Sequence, residues 1–152
     1  MKNNQRIGAV SNAHVGREFE LLAQEYFKRM GVELSLNYKI PVGIEKRKKN
    51  HAFDLGSEEP GILMECKSHT WTSGNNVPSA KMTVWNEAMF YFSVAPSRYR
   101  KIFFVLRDVS ESRSESLAEY YIRTYGHLIP ADVEIWEYDQ KSNDVAQLNV
   151  GV

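Results

Sequence analysis

Residues 101–109, KIFFVLRDV, hold the feature that most limits the possible folds: five consecutive apolar residues, Ile102 to Leu106, between charged ends. A strand with one face in water alternates apolar and polar residues, whereas an unbroken apolar run indicates a strand buried on both faces. Such a strand needs a covering layer on each side of its sheet. We therefore expect a central sheet with helices packed on it.

The rest of the chain predicts helices and strands that can build this arrangement. Apolar residues at spacings of three and four indicate helices over 12–30, 78–95 and 114–126. The first should begin at Ser11 or Asn12 and end at Gly31. Short or alternating apolar runs predict further strands, over 34–42, 51–56, 61–68 and 133–139. The predicted fold class is α/β, a central mixed sheet flanked by helices in the order α-β-β-β-α-β-α-β.

Length and composition favour one domain over residues 1–152. Repeats and flexible linkers are absent from the sequence. The one cysteine, Cys66, cannot form an intrachain disulfide, which fits a reducing compartment. Since no run of about 18 apolar residues occurs and the first residues lack an apolar signal-peptide core, we expect a soluble, cytoplasmic protein with no membrane partner.

Charge is balanced overall, with 19 basic and 19 acidic residues, but it is unevenly distributed. Residues 1–107 have six more basic than acidic residues, and residues 108–152 have six more acidic than basic ones. The basic part contains the unbroken run Lys46, Arg47, Lys48 and Lys49. A solvated loop is the commoner explanation of such a run, and contact with a polyanion such as DNA is the alternative.

Three charged residues interrupt an otherwise apolar strand pair: Asp54, Glu65 and Lys67. Glu65 and Lys67 are two residues apart, so their side chains leave the same face of a strand. If the hairpin turns symmetrically about residues 59 and 60, Asp54 lies directly opposite Glu65. Because facing carboxylates repel each other, the pattern indicates a cation between them. Lys67 supplies part of that positive charge, and a divalent metal would supply the rest.

Magnesium fits this pair, because Mg²⁺ takes one or two carboxylates and completes its shell with water and phosphate oxygens. Mn²⁺ is the expected substitute. The ordinary alternative is an exposed sheet face with a Glu–Lys pair, but the apolar neighbours of the motif weigh against it. A further acid, Glu18, lies at the margin of the first helix's apolar stripe, beside Val15 and Leu22, where it can point towards the sheet.

The motif Asp54-x10-Glu65-x-Lys67 follows a helix with an inward glutamate and precedes a helix and a strand. In this it resembles the PD-(D/E)XK nuclease superfamily, which has the restriction-endonuclease-like fold. The resemblance covers about residues 12–109 and rests on the order of elements more than on the short motif. Phe53 stands where the motif has proline, a position that touches no chemistry.

The resemblance implies a role for each residue of the motif. Asp54 and Glu65 would bind Mg²⁺ together with the backbone carbonyl of Cys66. Lys67 would orient or activate the attacking water, and Glu18 would support the metal site directly or through water. The implied reaction is hydrolysis of DNA phosphodiester bonds.

Two positions near the motif are candidates for contact with nucleic acid. The loop 68–78 begins directly after Lys67, so His69 can touch substrate, although an ordinary surface loop explains it equally well. Lys81 lies near the start of the second predicted helix, where a helix N-terminus and a cation can meet a phosphate.

The sequence thus predicts a Mg²⁺-dependent DNA endonuclease of restriction, repair or recombination type. A homodimer with two sites is the natural way to cut both strands. The alternative is a non-catalytic nucleic-acid-binding module of the same fold. A third possibility is a structural protein whose acidic, aromatic C-terminal region binds a partner.

Overall fold

The computed structural model describes residues 4–148 and residue 150, with side chains from residue 14 onward. Within this range the chain forms three α-helices, eight strands and one 3-10 turn. Their bounds are α1 (Asn4–Arg29), β1 (Ser35–Val42), β2 (Lys49–Ser57), β3 (Ile62–Lys67), α2 (Ser79–Ser93), β4 (Arg100–Leu106), β5 (Val109–Ser110), β6 (Glu115–Ser116), α3 (Leu117–Tyr125), the 3-10 turn (Gly126–Leu128), β7 (Val133–Asp139) and β8 (Asp144–Leu148).

Six strands form one mixed sheet in the order β1-β2-β3-β4-β7-β8. The central strands β3, β4 and β7 are parallel, while β1, β2 and β3 pair antiparallel at one side and β7 and β8 at the other. Parallel neighbours need a long crossover, and here α2 joins β3 to β4 while the segment with α3 joins β4 to β7. The predicted fold class, a mixed sheet flanked by helices, is confirmed.

Each face of the sheet buries its own hydrophobic core. On one face α1 packs Phe19, Ala23 and Phe27 against Ile102 and Phe104 of β4. We call this the α1 core. The opposite core, which we call the α2 core, lies under α2 and α3 and contains Trp85, Phe92, Phe103, Val105 and Tyr121. Successive residues of β4 therefore enter alternate cores, which confirms that this apolar strand is buried on both faces.

The first helix differs from its prediction at one end. It begins at Asn4 rather than at Ser11 or Asn12, because residues 4–11 contain no proline and the helix continues through them. It ends as predicted before Gly31, whose φ of +86° suits glycine better than any other residue. Neither α1 nor any other helix in the described residues is long and apolar enough to cross a membrane.

Three strands have no counterpart in the predicted order. Strands β5 and β6 are two residues long and form a separate ladder. Strand β8 lies at the sheet edge, and its exposed side chains do not give a strict alternation of apolar and polar residues. Such strands exist because a neighbour pairs with them, and local sequence pattern carries little trace of that.

Candidate active site

The candidate site lies where β2 separates from β3. Leu55 and Met64 form the last pair of this antiparallel ladder, in the register predicted from the turn. Asp54 and Glu65 are the next residues on the two strands. Past this pair β2 changes face: Phe53 packs in the α2 core, whereas Leu55 packs in the α1 core. A regular strand would place these two residues on the same face.

The carboxylate of Asp54 occupies this break. Its Oδ2 accepts a hydrogen bond of 2.8 Å from the backbone N–H of Cys66. On β1 the residue level with it, Asn37, has a φ of +52°, a conformation that asparagine tolerates better than most residues. Leu36 and Tyr38, on either side of Asn37, pack towards opposite cores. Both strands therefore change face at the same level, which holds the Asp54 carboxylate against the backbone of β3.

Glu65 is the buried acid of the site, with 9% of its side chain exposed. Burial raises the pKa of Glu65 to about 7; His51 and Lys67 oppose this rise, and the charge of Asp54 adds to it. One carboxylate oxygen lies 3.6 Å from Nε2 of His51 and the other lies 3.9 Å from Nζ of Lys67. His51, which the sequence analysis did not identify, also stacks on Tyr91 with ring centroids 3.7 Å apart.

The helical acid at the site is Glu20, and the expectation for Glu18 is not met. The side chain of Glu18 is 65% exposed, and its Oε1 lies 3.1 Å from Nε2 of His14 on the outer face of α1. Glu18 is not among the residues that line the cavity beside the acids. Glu20 is 19% exposed. Burial raises the pKa of Glu20, and the charge of Asp54 raises it further, while Arg17 and Lys67 lower it.

The rotation of α1 explains this correction. The buried line of the helix is Phe19, Ala23 and Phe27, whereas Val15 is 47% exposed. The predicted stripe ran through Val15, Phe19, Leu22, Tyr26, Phe27 and Met30, so the buried line lies towards one edge of it, turned by roughly 40°. A helix turned by that amount moves Glu18 outward and brings Glu20 towards the sheet. The signal was present in the sequence, in the four-residue spacing of the three buried residues.

The oxygen donors of the site fit a divalent cation. Burial raises the pKa of Glu20 and of Glu65, and Asp54 lies close enough to raise both further, so ionising all three acids together is unfavourable without a cation. Carboxylate and carbonyl oxygens are the donors that Mg²⁺ prefers. In the described part of the chain, however, no group of three or more His, Cys, Asp or Glu side chains is arranged as a metal cluster. The fit is thus to an ion held by few protein ligands and completed by water.

The thiol of Cys66 does not belong to this donor set. It is buried in the α1 core, away from the face that carries Glu65 and Lys67. Burial raises the pKa of the thiol, and the nearby charges of Asp54 and Glu65 raise it further. The thiol therefore stays protonated, which leaves the backbone carbonyl as the only ligand that Cys66 offers.

A cavity of about 860 Å³ opens beside the acids. Two acids, Glu20 and Asp54, and two lysines, Lys67 and Lys81, line it. The loop that follows β3 and the first turn of α2 complete its wall. An anionic substrate placed here would meet two ammonium groups while its reacting bond lay near the carboxylates.

His69 lies in the same wall and is held as a neutral ring. Its Nδ1 accepts a hydrogen bond of 2.8 Å from Nε1 of Trp85, so the ring proton is on Nε2. Burial lowers the pKa of His69 to about 4, and the charges of Lys81 and Lys67 lower it further. At neutral pH His69 is therefore an N–H donor without positive charge.

The residues predicted to bind nucleic acid lie in two places. His69 and Lys81 line the cavity beside the acids. The basic run occupies the turn between β1 and β2 and the start of β2, where it lines a second cavity of about 1310 Å³. The members of that run are Lys46, Arg47, Lys48 and Lys49.

No protein-family model, curated protein or solved structure matches the chain. A function must therefore be argued from the geometry and charge of the site.

Proposed function

We propose that the protein is a Mg²⁺-dependent deoxyribonuclease of PD-(D/E)XK type, with a restriction-endonuclease-like fold. The observation that carries the proposal is the meeting of two acids and an amine, Asp54, Glu65 and Lys67, at the point where β2 leaves β3. The cavity beside them, which two acids and two lysines line, suits a phosphodiester.

Asp54, Glu65 and the backbone carbonyl of Cys66 would hold the Mg²⁺, with Glu20 in support. When bound, the metal supplies positive charge to the phosphate and makes a bound water more acidic. The charge of Asp54 raises the pKa of both Glu20 and Glu65, which supports this assignment. A bound cation would offset this repulsion among the acids.

Lys67 is the residue we assign to the attacking water and to the charge that develops on the phosphate. Its ammonium lies 3.9 Å from Glu65 and lines the cavity, so it can donate both to a water and to a phosphate oxygen. Fixed donors of this kind stabilise a transition state more than they strengthen ground-state binding. Lys81 and the N–H of His69 provide two further donors for phosphate oxygens in the same cavity.

The test is cleavage of supercoiled plasmid and of branched DNA in Mg²⁺ or Mn²⁺. We expect the wild-type protein to cut, and Asp54→Asn and Lys67→Met to lower the rate of cutting by about 100-fold or more. The matched controls are Glu18→Gln, which removes an exposed acid of α1, and Lys141→Met, which removes an exposed lysine from the turn before β8. Both controls should cut like the wild type.

Two results would contradict the proposal. DNA binding without cleavage, unchanged in the Asp54 and Lys67 variants, would favour the non-catalytic nucleic-acid-binding module. No binding to DNA at low salt would favour a structural or interaction protein. We further propose a homodimer, because two sites are needed to cut both strands, and sedimentation at the mass of one chain would contradict that part.

A further inference from the structure

The turn between β1 and β2 is fixed to the end of α2. The backbone N–H of Gly43 donates to the carbonyl of Val94 at 3.1 Å, and Nζ of Lys48 donates to the carbonyl of Gly43 at 2.8 Å. Gly43 has a φ of +151°, and a Cβ at this position would collide with the backbone of Arg47. One backbone hydrogen bond therefore ties the hairpin to the end of α2, and the other two contacts fix the shape of its turn.

This hairpin and α2 enclose the second cavity, of about 1310 Å³, which we call the hairpin groove. Ile44, at the turn, is 63% exposed, and Phe90, on α2, is 58% exposed. Around them lie cations that form no ion pair with any acid of the described residues: Lys46, Arg47 and Lys49. A solvated loop accounts for the cations but not for two large apolar side chains exposed among them.

The hairpin groove and the candidate active site are connected on one side of the sheet. Tyr91 of α2 lines the groove and stacks on His51, and His51 in turn lies 3.6 Å from Glu65. Two side chains, those of Tyr91 and His51, therefore link the basic groove to the buried Glu65. Both places also border α2, since Lys81 and Val84 line the acidic cavity while Phe90 and Tyr91 line the groove, so a long ligand in the cavity can extend along α2 to the hairpin.

Strand β2 and helix α2 each set the spacing between the hairpin groove and the candidate active site. Lys49 and Asp54 are five residues apart on β2, which at about 3.3 Å per residue is about 17 Å. Lys81 and Ser93, the last residue of α2, are twelve residues apart, which at about 1.5 Å per residue is about 18 Å. One turn of B-DNA is about 34–36 Å. The spacing is thus close to half a turn of duplex DNA.

Building on the proposed function, we propose that the hairpin groove is a second DNA-binding surface, which contacts duplex DNA half a helical turn from the bond to be cut. Lys46, Arg47 and Lys49 neutralise backbone phosphates, while Ile44 and Phe90 pack against the sugars and base edges of the minor groove. Apolar side chains inserted there are common among proteins that bind the minor groove. A rigid duplex keeps the two contacts at a constant spacing, which a single strand does not.

The test measures binding by the full-length protein to a fluorescent 30-base-pair duplex without divalent metal, so that no cleavage interferes. One variant, Lys46→Ser with Arg47→Ser and Lys49→Ser, removes the cations but keeps Lys48, which anchors the turn. A second, Ile44→Ser with Phe90→Ser, removes the apolar contacts. The matched control replaces three exposed cations elsewhere by serine: Lys28, Arg29 and Lys141.

Each variant has a distinct expected result. Removing three phosphate contacts should lower the slope of log Kd against log salt by about 2–3. The apolar variant should bind the duplex about tenfold more weakly with an unchanged slope. Both should shorten the protected footprint by about five base pairs, the half turn that the groove covers. The control should leave slope, affinity and footprint unchanged.

Three results would overturn the hairpin groove as a DNA surface. The first is unchanged DNA binding in both variants, and the second is an equal loss of binding in the variants and the control. The third is a change of oligomeric mass on Ile44→Ser with no change in DNA binding. That result would identify the groove as a contact between copies of the chain. Failure of the nuclease proposal is separate. If the wild type never cuts DNA but the variants lose duplex binding as expected, the enzyme assignment falls and the groove is supported.

Discussion

Replacing Glu20 by glutamine tests whether α1 contributes this acid to the site. Burial and the charge of Asp54 raise the pKa of Glu20, so ionisation of Glu20 is unfavourable in the metal-free protein. Glutamine keeps the shape of the side chain and removes its charge. We expect Glu20→Gln to stabilise the metal-free protein at pH 8. Glu18→Gln, a change in an exposed residue of the same helix, should leave stability unchanged.

Burial is the larger cause of the raised pKa of Glu20, and the size of the part that Asp54 adds follows from Coulomb's law. Two like charges about 4 Å apart repel by about 1 kcal/mol in water and about 4 kcal/mol at an effective dielectric constant of about 20. Glu20 is partly exposed, and Nη1 of Arg17 lies 3.4 Å from its Oε2, so we expect the lower end of this range. For a domain of this length, about 1 kcal/mol raises Tm by about 2–4 °C.

The sign of the pH dependence also follows from the raised pKa. Glu20 binds its proton at a higher pH in the folded protein than in the unfolded chain, so the wild type gains stability from this group as the pH falls. The advantage of Glu20→Gln should therefore be largest at pH 8 and should shrink towards pH 4.5.

The assay is thermal unfolding in EDTA at both pH values, followed by titration with Mg²⁺ at pH 8. Mg²⁺ should raise the Tm of the wild type and of Glu18→Gln by equal amounts, and that of Glu20→Gln by less, because one carboxylate fewer attracts the ion. Equal Tm values for both variants in EDTA would refute the reasoning. So would a Mg²⁺ response that Glu18→Gln reduces and Glu20→Gln does not.

Three further predictions address the active site and the fold. Lys67→Met should lower the single-turnover rate of cleavage by about 100-fold or more while DNA affinity stays within about threefold, because a transition-state contact contributes little to binding. Equal losses in rate and affinity would contradict this role for Lys67. His69 should titrate near pH 4 in a nuclear magnetic resonance experiment. Because the pKa of His69 is lowered in the folded protein, the fold should lose stability as the pH falls from about 6.5 towards 4. A titration midpoint near 6.5 would show that the ring is not buried as described. Gly56→Ala should lower the free energy of unfolding in urea by about 1–3 kcal/mol, since the added Cβ would collide with the ring of Tyr38. The matched change Gly16→Ala, where no atom lies within 4 Å of the new Cβ, should be neutral or stabilising.

Local pattern was enough to predict the centre of the fold. The apolar run of β4 indicated burial on both faces, and each of its residues from Lys101 to Val105 is buried. The symmetric turn gave the register of β2 on β3, which Leu55 and Met64 confirm. Both predictions depend only on neighbours in sequence, on the alternation of side chains and on the length of a turn.

Other parts of the molecule carry no comparable local signal. The edge strand β8 depends on pairing with β7, and its mixed residues do not alternate. His51 could have been noticed as a titratable residue three positions before Asp54, but its stacking on Tyr91 joins two elements that are distant in sequence. Contacts of this kind are set by packing between elements rather than by periodicity within one.

The sequence by itself determined that Glu65 and Lys67 share a face, because residues two apart on a strand always do. It also determined the register that pairs Leu55 with Met64, the neighbours of Asp54 and Glu65. Only the tertiary structure decided that β2 changes face at Asp54, that α1 turns Glu20 rather than Glu18 towards it, and that the basic hairpin is fixed to α2. The physical reason is that a helix is free to rotate until its whole buried stripe packs, and a rotation of less than one residue is enough to move one acid outward and bring another towards the sheet.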